Sequence, residues 1–161
     1  MPGRFIRSRD LQFFDTVNKE LIGDIKANKD GIVSQEVIIY KISTYETKPN
    51  LYGEASMGKV YKNGIKLNCL IEAEDFDWES AEFGPDVNQN GVFSFLRQSL
   101  IDVDFVPDLG DIIEWNYAHW EISEIQENQL IGGMQENNHA VVCTAFLSDK
   151  TTPQLENNRA Y

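Results

Sequence analysis

The segment that most constrains the fold is residues 103–125, which reads VDFVPDLGDIIEWNYAHWEISEI. Pro107 and Gly110 predict a turn, and the carboxylate of Asp111 can accept hydrogen bonds from amides nearby. Ser123-Glu124 predicts a β-bulge or an edge position. Two apolar runs flank a short polar reversal at 116–118: Ile112, Ile113 and Trp115 in the first arm, then Trp120, Ile122 and Ile125 in the return arm. The pattern predicts a structural β-hairpin with at least one tryptophan in the core.

An amphipathic helix is predicted over residues 9–26, preceded by Ser8 as a candidate cap. Its apolar stripe has three- and four-residue spacing, at Leu11, Phe14, Val17, Leu21 and Ile25, and Phe13 and Ile22 widen the apolar face. Two interpretations of this face remain open at the level of sequence. The helix packs against the chain's own sheet, or it packs against a neighbouring subunit.

The rest of the chain is dominated by β-patterns. Residues 32–43 are rich in β-branched side chains, and Asn63-Gly64 is a strong hairpin signal before the alternating strand 65–73. Strands are also expected over 91–102 and 140–147. We therefore predict a mainly β fold: a single antiparallel β-barrel or sandwich with one N-terminal α-helix, a long loop and flexible termini.

The predicted domain organisation follows from charge and periodicity. Residues 1–10 carry three arginines against one acid and form a basic N-terminal arm, residues 11–147 form a single β-rich domain, and residues 148–161 form a flexible tail. Residues 44–59 have little apolar periodicity and predict a long excursion, a feature that is often functional or disordered in small domains.

Composition narrows the class of function. The chain has 161 residues and a net charge of −12, which argues against a protein that wraps nucleic acid, because phosphate affinity comes from lysine and arginine. An acidic lining would suit a passage through which DNA slides, although the acidity can also serve solubility alone. Cys69 and Cys143 lie in strand patterns and are expected to be buried reduced thiols. The sequence has no signal peptide and no apolar run long enough to span a bilayer, so no membrane partner is expected.

No catalytic residue, metal site or cofactor is predicted. The acidic run from Glu72 to Asp86 lacks the spacing of a calcium loop, and we interpret it as a solvated acidic loop or a surface for a partner. His119 and His139 are not paired with Cys, Asp or Glu at ligand spacing. The sequence contains no nucleophile elbow and no glycine-rich phosphate loop, so the protein is not expected to be an enzyme.

Several residues are candidates for a partner interface. Three arginines stand out in the acidic chain, four adhesive side chains lie in the 44–59 excursion, and one tryptophan lies within the acidic segment 75–89. These residues are Arg4, Arg7, Arg9, Tyr45, Leu51, Tyr52, Met57 and Trp78.

The hairpin pattern Pro-x-x-Gly-Asp-Ile-Ile, followed within ten residues by aromatic-Glu-Ile, resembles a strand pair in the neck (head-closure) proteins of contractile-tailed bacteriophages. The resemblance extends to residues 51–55, Leu-Tyr-Gly-Glu-Ala, and 91–95, Gly-Val-Phe-Ser-Phe, so it spans roughly residues 50–130. It implies a virion structural protein that forms a ring, expected to be a hexamer, between the portal vertex and the tail.

The resemblance also implies partners and a location. The expected partners are copies of the chain itself, portal or adaptor proteins and tail terminator proteins, with DNA passing through the channel without specific binding. The protein would be made in the host cytoplasm and reside in the virion neck. The alternatives are a β-rich baseplate or tail accessory module, a small hydrolase and a ligand-binding barrel.

Overall fold

The computed structural model describes residues 7–24, 29–33, 35–47, 59–73, 77–81, 84–130 and 137–148. Two helices occur in this part of the chain, α1 (Ser8–Ile22) and α2 (Arg97–Asp102). The strands, in chain order, are β1 (Gly23–Asp24), β2 (Lys29–Asp30), β3 (Gln35–Tyr40), β4 (Ile65–Ala73), β5 (Asp77–Ala81), β6 (Gly84–Asn88), β7 (Asn90–Leu96), β8 (Ile112–Trp115), β9 (Ala118–Leu130) and β10 (Asn138–Ser148).

Six strands form a closed antiparallel barrel in the order β10-β7-β4-β3-β8-β9, and β9 pairs with β10 to close it. Strands β1 and β2 form a small ladder next to the end of α1, and β5 and β6 form a separate two-stranded ladder between β4 and β7. Closure leaves the barrel strands without unpaired edges. The prediction of a mainly β fold with an antiparallel barrel and an N-terminal helix is confirmed.

The interior of the barrel is filled by alternating side chains. Along β4, Leu67 and Cys69 are buried while their neighbours Lys66 and Asn68 are not, as expected for a strand with one face exposed to solvent. The buried cluster also includes aromatic side chains from β7, from β9 and from the segment after α2: Phe93, Phe95, Trp120 and Phe105. The aromatic rings pack edge to face or tilted, with centroids 5.7 Å apart for Phe93 and Trp120.

The hairpin predicted from residues 103–125 is confirmed as strands β8 and β9. Asp111 is fully buried, and its two carboxylate oxygens accept hydrogen bonds from the amides of Ile42, at 2.9 Å, and Asp108, at 2.8 Å. The pairing register jumps from Glu124 opposite Thr144 to Ile122 opposite Ala145, so Ser123 is the bulged residue. The side-chain hydroxyl of Ser123 donates a hydrogen bond to the carbonyl of Thr144.

The hairpin predicted at Asn63-Gly64 is wrong. Tyr61 pairs with Ile42 instead of with β4, and β4 pairs with β3 and β7 to continue the barrel. A local turn signal cannot decide strand pairing when β3 and β7 occupy both edges of β4. Tyr61 packs with Tyr40 and Ile112 in a second apolar cluster, separate from the main core.

Other boundaries also differ from the predictions. Helix α1 ends at Ile22, and Arg7 rather than Ser8 precedes it, without a side-chain capping hydrogen bond. The last three residues of the predicted arm 1–10 therefore belong to the helix. The strand predicted over 91–102 ends at Leu96, after which α2 begins, and the segment predicted as an acidic loop contains the paired strands β5 and β6.

Candidate interaction surfaces

Helix α1 is attached to the barrel through its C-terminal end. Val33 donates its amide hydrogen to the carbonyl of Leu21 at 2.9 Å, and Lys19 lies within ion-pair distance of Asp24 and of Asp102 on α2. Gly31 approaches the helix end so closely that a Cβ there would lie 2.3 Å from backbone atoms of Ile22. Only a glycine fits this contact, so the attachment point is well defined.

The apolar stripe of α1 is largely exposed to solvent. At 100° per residue, Phe13, Phe14, Val17 and Leu21 fall within about 100° of the helix circumference, and we call these four residues the helix stripe. All four are exposed, Phe13 by 65%, whereas Ile22 is the buried residue of the helix. Ile22 is therefore buried by the chain itself, whereas the four side chains of the helix stripe are not.

An exposed apolar stripe has a consequence for stability. A helix of fifteen residues is marginal in water by itself, and most helical stability in proteins comes from packing of the apolar face. Exposed apolar clusters on soluble proteins commonly mark interaction sites. The helix stripe is therefore the candidate site with the clearest physical rationale in the described part of the chain.

A second exposed apolar surface lies where the turn before β8 meets the segments after β3 and before β4. The exposed apolar residues of these segments are Tyr45, Val106 and Leu109, and we call these three residues the loop patch. Tyr45 is 95% exposed, and it lies in a turn whose flanking residues, Ser43 and Thr47, both hydrogen-bond to Val60.

Three lysines border the loop patch: Lys41, Lys59 and Lys62. The ammonium of Lys41 donates a hydrogen bond to the carbonyl of Val106 and pairs with Asp108 at 2.7 Å. Lys59 pairs with Glu121, and the amide of Lys62 binds the carbonyl of Lys41. Lys62 is exposed and has no ion-pair partner within the described ranges. Acids of the same surface therefore neutralise two of the three lysines.

The tip of the β8–β9 hairpin presents another exposed aromatic residue. Asn116 and Tyr117 both adopt positive φ angles, 51° and 64°, as a type I′ turn requires. Tyr117 is 94% exposed and borders a surface groove of about 240 Å³ with Ile38 and Trp115. A bulky residue with positive φ is uncommon outside turns, but the turn type explains it here without a functional role.

The structure describes four of the sequence-predicted interface residues in at least part. Arg7 and Arg9 are exposed at the start of α1, where Arg9 lies 3.6 Å from the carboxylate of Asp10. Trp78 lies on β5, with its backbone paired to Val87, and its side chain is outside the described set. Tyr45 belongs to the loop patch. Arg4, Leu51, Tyr52 and Met57 lie outside the described residues. The interface roles of all eight remain predictions.

Sequence reasoning missed Val106, Leu109 and the grouping of the lysines. Val106 and Leu109 flank Pro107 in a turn, where an apolar residue gives no periodic signal. The three lysines belong to separate segments that meet through the bridge between Ile42 and Tyr61. Only tertiary structure shows them as one surface.

The titratable groups in the interior are inert. Both cysteines are free and buried, and burial raises the pKa of each thiol to about 12. Burial also raises the pKa of the Tyr61 hydroxyl to about 12 and that of the Asp111 carboxyl, although the amides of Ile42 and Asp108 act in the opposite direction on Asp111. Thiols that stay protonated at neutral pH are poor nucleophiles and poor metal ligands.

The described residues contain neither a candidate metal cluster nor a helix able to span a membrane. No group of three or more His, Cys, Asp or Glu side chains within these ranges could hold a metal ion. Neither α1 nor α2 has the length and apolar character needed to cross a bilayer, in a search limited to the same part of the chain.

Comparison with known proteins defines the fold class. No protein-family model matches the sequence, and neither does any curated protein. Among solved structures, a chain of the "Virion of native gene transfer agent (GTA) particle" is similar, with a TM-score of 0.51 and 10% sequence identity. The similarity covers 73% of this chain and 96% of that chain. At this identity the similarity establishes a shared fold.

Proposed function

We propose that the protein is a virion structural component, a ring-forming neck or head-closure protein that joins the portal vertex of a phage head to the tail. The observation that carries the proposal is the fold shared with a chain of the gene transfer agent virion, over 96% of that chain. The resemblance of the β8–β9 hairpin to neck proteins supports the same role independently of the fold comparison.

The exposed surfaces support adhesion as the task of the protein. A closed barrel provides a stiff body, and the helix stripe and the loop patch provide apolar contacts that a monomer would leave in water. The net charge of −12 suits a component next to passing DNA, because an acidic surface does not retain phosphate.

The packed interior favours this role over a ligand-binding barrel. Phe93, Phe95 and Trp120 occupy the space that a ligand would need. Barrels that hold a small molecule keep part of that interior open, whereas small barrels without a ligand fill it with side chains.

Deletion of the gene in a particle-producing cell tests the proposal. Cells without the protein are expected to accumulate DNA-filled heads and complete tails that remain separate in electron micrographs. Purified protein added to the mixed lysate should restore joined particles and their infectivity.

The measurement distinguishes the alternatives as well. Joined particles with a defective tail tip would instead assign the protein to the baseplate. Normal, infectious particles without the protein would refute a structural role in the virion.

A further inference from the structure

The sequence contains two Asn-Gly pairs, and the structure holds them in different ways. Asn63-Gly64 lies in the irregular segment between the bridge at Tyr61 and the start of β4, whereas Asn90-Gly91 begins β7. The side chains of Asn63 and Asn90 are both exposed. The two pairs therefore share their chemistry and their access to water, and they differ in how the backbone is held.

An Asn-Gly pair can rearrange without an enzyme. The amide nitrogen of the glycine attacks the side-chain carbonyl carbon of the asparagine, the new carbon–nitrogen bond closes a succinimide ring, and the side-chain nitrogen leaves as ammonia with the amide proton of the glycine. Water then opens the ring to give an aspartyl or an isoaspartyl residue. Glycine favours the attack because it has no Cβ to obstruct it and allows the backbone to rotate. An amide fixed in a sheet cannot reach the side chain without leaving the ladder.

We propose that Asn63 is a site of spontaneous deamidation in the folded protein and that the fold protects Asn90 from the same reaction. The product places a carboxylate beside the exposed Lys62, and the isoaspartyl form also inserts a methylene group into the main chain. The inference concerns the chemistry of the chain and does not depend on the proposed function.

The backbone at Asn63 lacks the constraints of a hairpin turn. A type I′ turn would hold both central residues at positive φ, but neither Asn63 nor Gly64 has a positive φ. Among the described residues, neither the Asn63 side chain nor the Gly64 amide takes part in a hydrogen bond. The nearest fixed points of the backbone are the hydrogen bond from the Lys62 amide to the carbonyl of Lys41 and the start of β4 at Ile65. The pair between these points is free to rotate into the reactive geometry.

Packing explains why a glycine follows Asn63 although no turn requires it. A Cβ on Gly64 would lie 2.5 Å from Cγ2 of Ile38 and 2.8 Å from Cε1 of Tyr40. The Tyr40 side chain is fully buried and its hydroxyl donates a hydrogen bond to Glu114, so the ring cannot move aside. The close approach of the backbone to this ring therefore imposes a glycine, and with it a pair that is prone to rearrangement.

The backbone at Asn90-Gly91 is held on both sides. Gly91 is paired with Ala145 of β10 and with Ala73 of β4, and Asn90 is paired with Phe146. Attack by the Gly91 amide would require β7 to leave the barrel, which is an opening of the core rather than a local fluctuation. Conversion of Asn90 therefore reports unfolding, whereas conversion of Asn63 does not require it.

Peptide mapping by mass spectrometry tests the proposal on the purified full-length protein, incubated in a mildly alkaline buffer. In the folded protein, Asn63 is expected to convert to aspartate and isoaspartate severalfold faster than Asn90. In guanidinium chloride the two sites should convert at similar rates, because a glycine follows both. An isoaspartyl methyltransferase should label the Asn63 peptide of the folded sample, and the Asn63→Gln variant should lose the acidic species that accumulates on anion exchange.

Each other outcome counts against the proposal. Equal conversion of Asn63 and Asn90 in the folded protein would mean that the reaction proceeds through unfolding. Absence of conversion at Asn63, under conditions in which the denatured protein reacts, would mean that the segment before β4 is held as firmly as a strand. Faster conversion of Asn90 would place the opening at β7 instead. Any of these results would overturn the assignment of Asn63 as the modification site.

Discussion

Trp120 anchors the β8–β9 hairpin in the barrel, and its replacement tests the account of the core. Its ring is 2% exposed and packs against Phe93, at 5.7 Å between ring centroids, and against Trp115, at 6.1 Å. A Cβ on Gly91 would lie 3.1 Å from atom Cζ3 of Trp120, so the ring rests directly on the backbone of β7. Removing the ring would leave a cavity between two strands that cannot close without bending the barrel.

The expected loss of unfolding free energy depends on the packing of the Trp120 ring and on the buried indole N–H, which partly offsets that loss. Trp120→Ala is expected to lower the free energy of unfolding by about 3–5 kcal/mol, the usual range for a large aromatic removed from a packed core. The indole Nε1 is buried and has no hydrogen-bond partner among the described residues, and such a donor is itself unfavourable by about 1–3 kcal/mol. Trp120→Phe removes that donor but keeps a ring, so a smaller loss of roughly 1–2 kcal/mol is expected.

Urea denaturation followed by circular dichroism at 222 nm measures these losses without relying on tryptophan fluorescence. A double-mutant cycle with Gly91→Ala adds a geometric test. Gly91→Ala alone should destabilise by about 1–3 kcal/mol because the new methyl group meets the Trp120 ring. In the Trp120→Ala background the same methyl group enters the cavity, so the two losses should fall short of additivity by about 1 kcal/mol or more.

Two results would refute this reasoning. A loss of less than about 1 kcal/mol for Trp120→Ala would mean that the ring does not fill the core, as expected for exposed positions. Strict additivity with Gly91→Ala would mean that the methyl group and the ring do not meet. In either case the hairpin would be better explained as a projecting element that binds a partner.

Three further predictions follow from local features. Gly110→Val should destabilise by about 1–3 kcal/mol in the same urea assay, because Gly110 has φ +84° and a Cβ there would lie 3.1 Å from Cδ1 of Ile42. The native cysteines should not react with a thiol reagent at pH 8 but should react in urea; since their pKa is raised to about 12, their contribution to stability should be complete below about pH 9 and decline as the pH rises towards 12. Residues 44–59 should exchange amide hydrogens faster in the isolated protein than in the particle, and equally slow exchange in both would show a purely intramolecular segment.

The sequence was sufficient for features whose cause is local. The turn at Gly110, the hydrogen bond from the Asp108 amide to the Asp111 carboxylate and the bulge at Ser123 were all predicted, because residue type determines each of them over a few positions. The alternation in β4 likewise identified its buried face. These features fix the hairpin and one wall of the barrel.

Features that depend on competition between distant segments could not be predicted in this way. Asn63-Gly64 favours a hairpin locally, but β4 is paired by β3 and β7, and Tyr61 pairs with Ile42. Helix α2 has six residues and one buried side chain, Leu100, which is too short for a helical period to be visible.

The candidate site shows the same division. The three- and four-residue spacing predicted the helix stripe, but the sequence could not say what covers Phe13, Phe14 or Val17. That question is decided by the position of the helix on the barrel, where only Ile22 is buried. The grouping of Lys41 and Lys62 beside the loop patch depends on a bridge between segments that are distant in the sequence.

The most direct test of the central claim is a density map of the intact particle at the junction of head and tail, at a resolution that shows β-strands. The account predicts a symmetric ring of six-stranded barrels between the portal and the tail. A junction whose density is fully explained by other proteins, with no barrel of this topology, would contradict it.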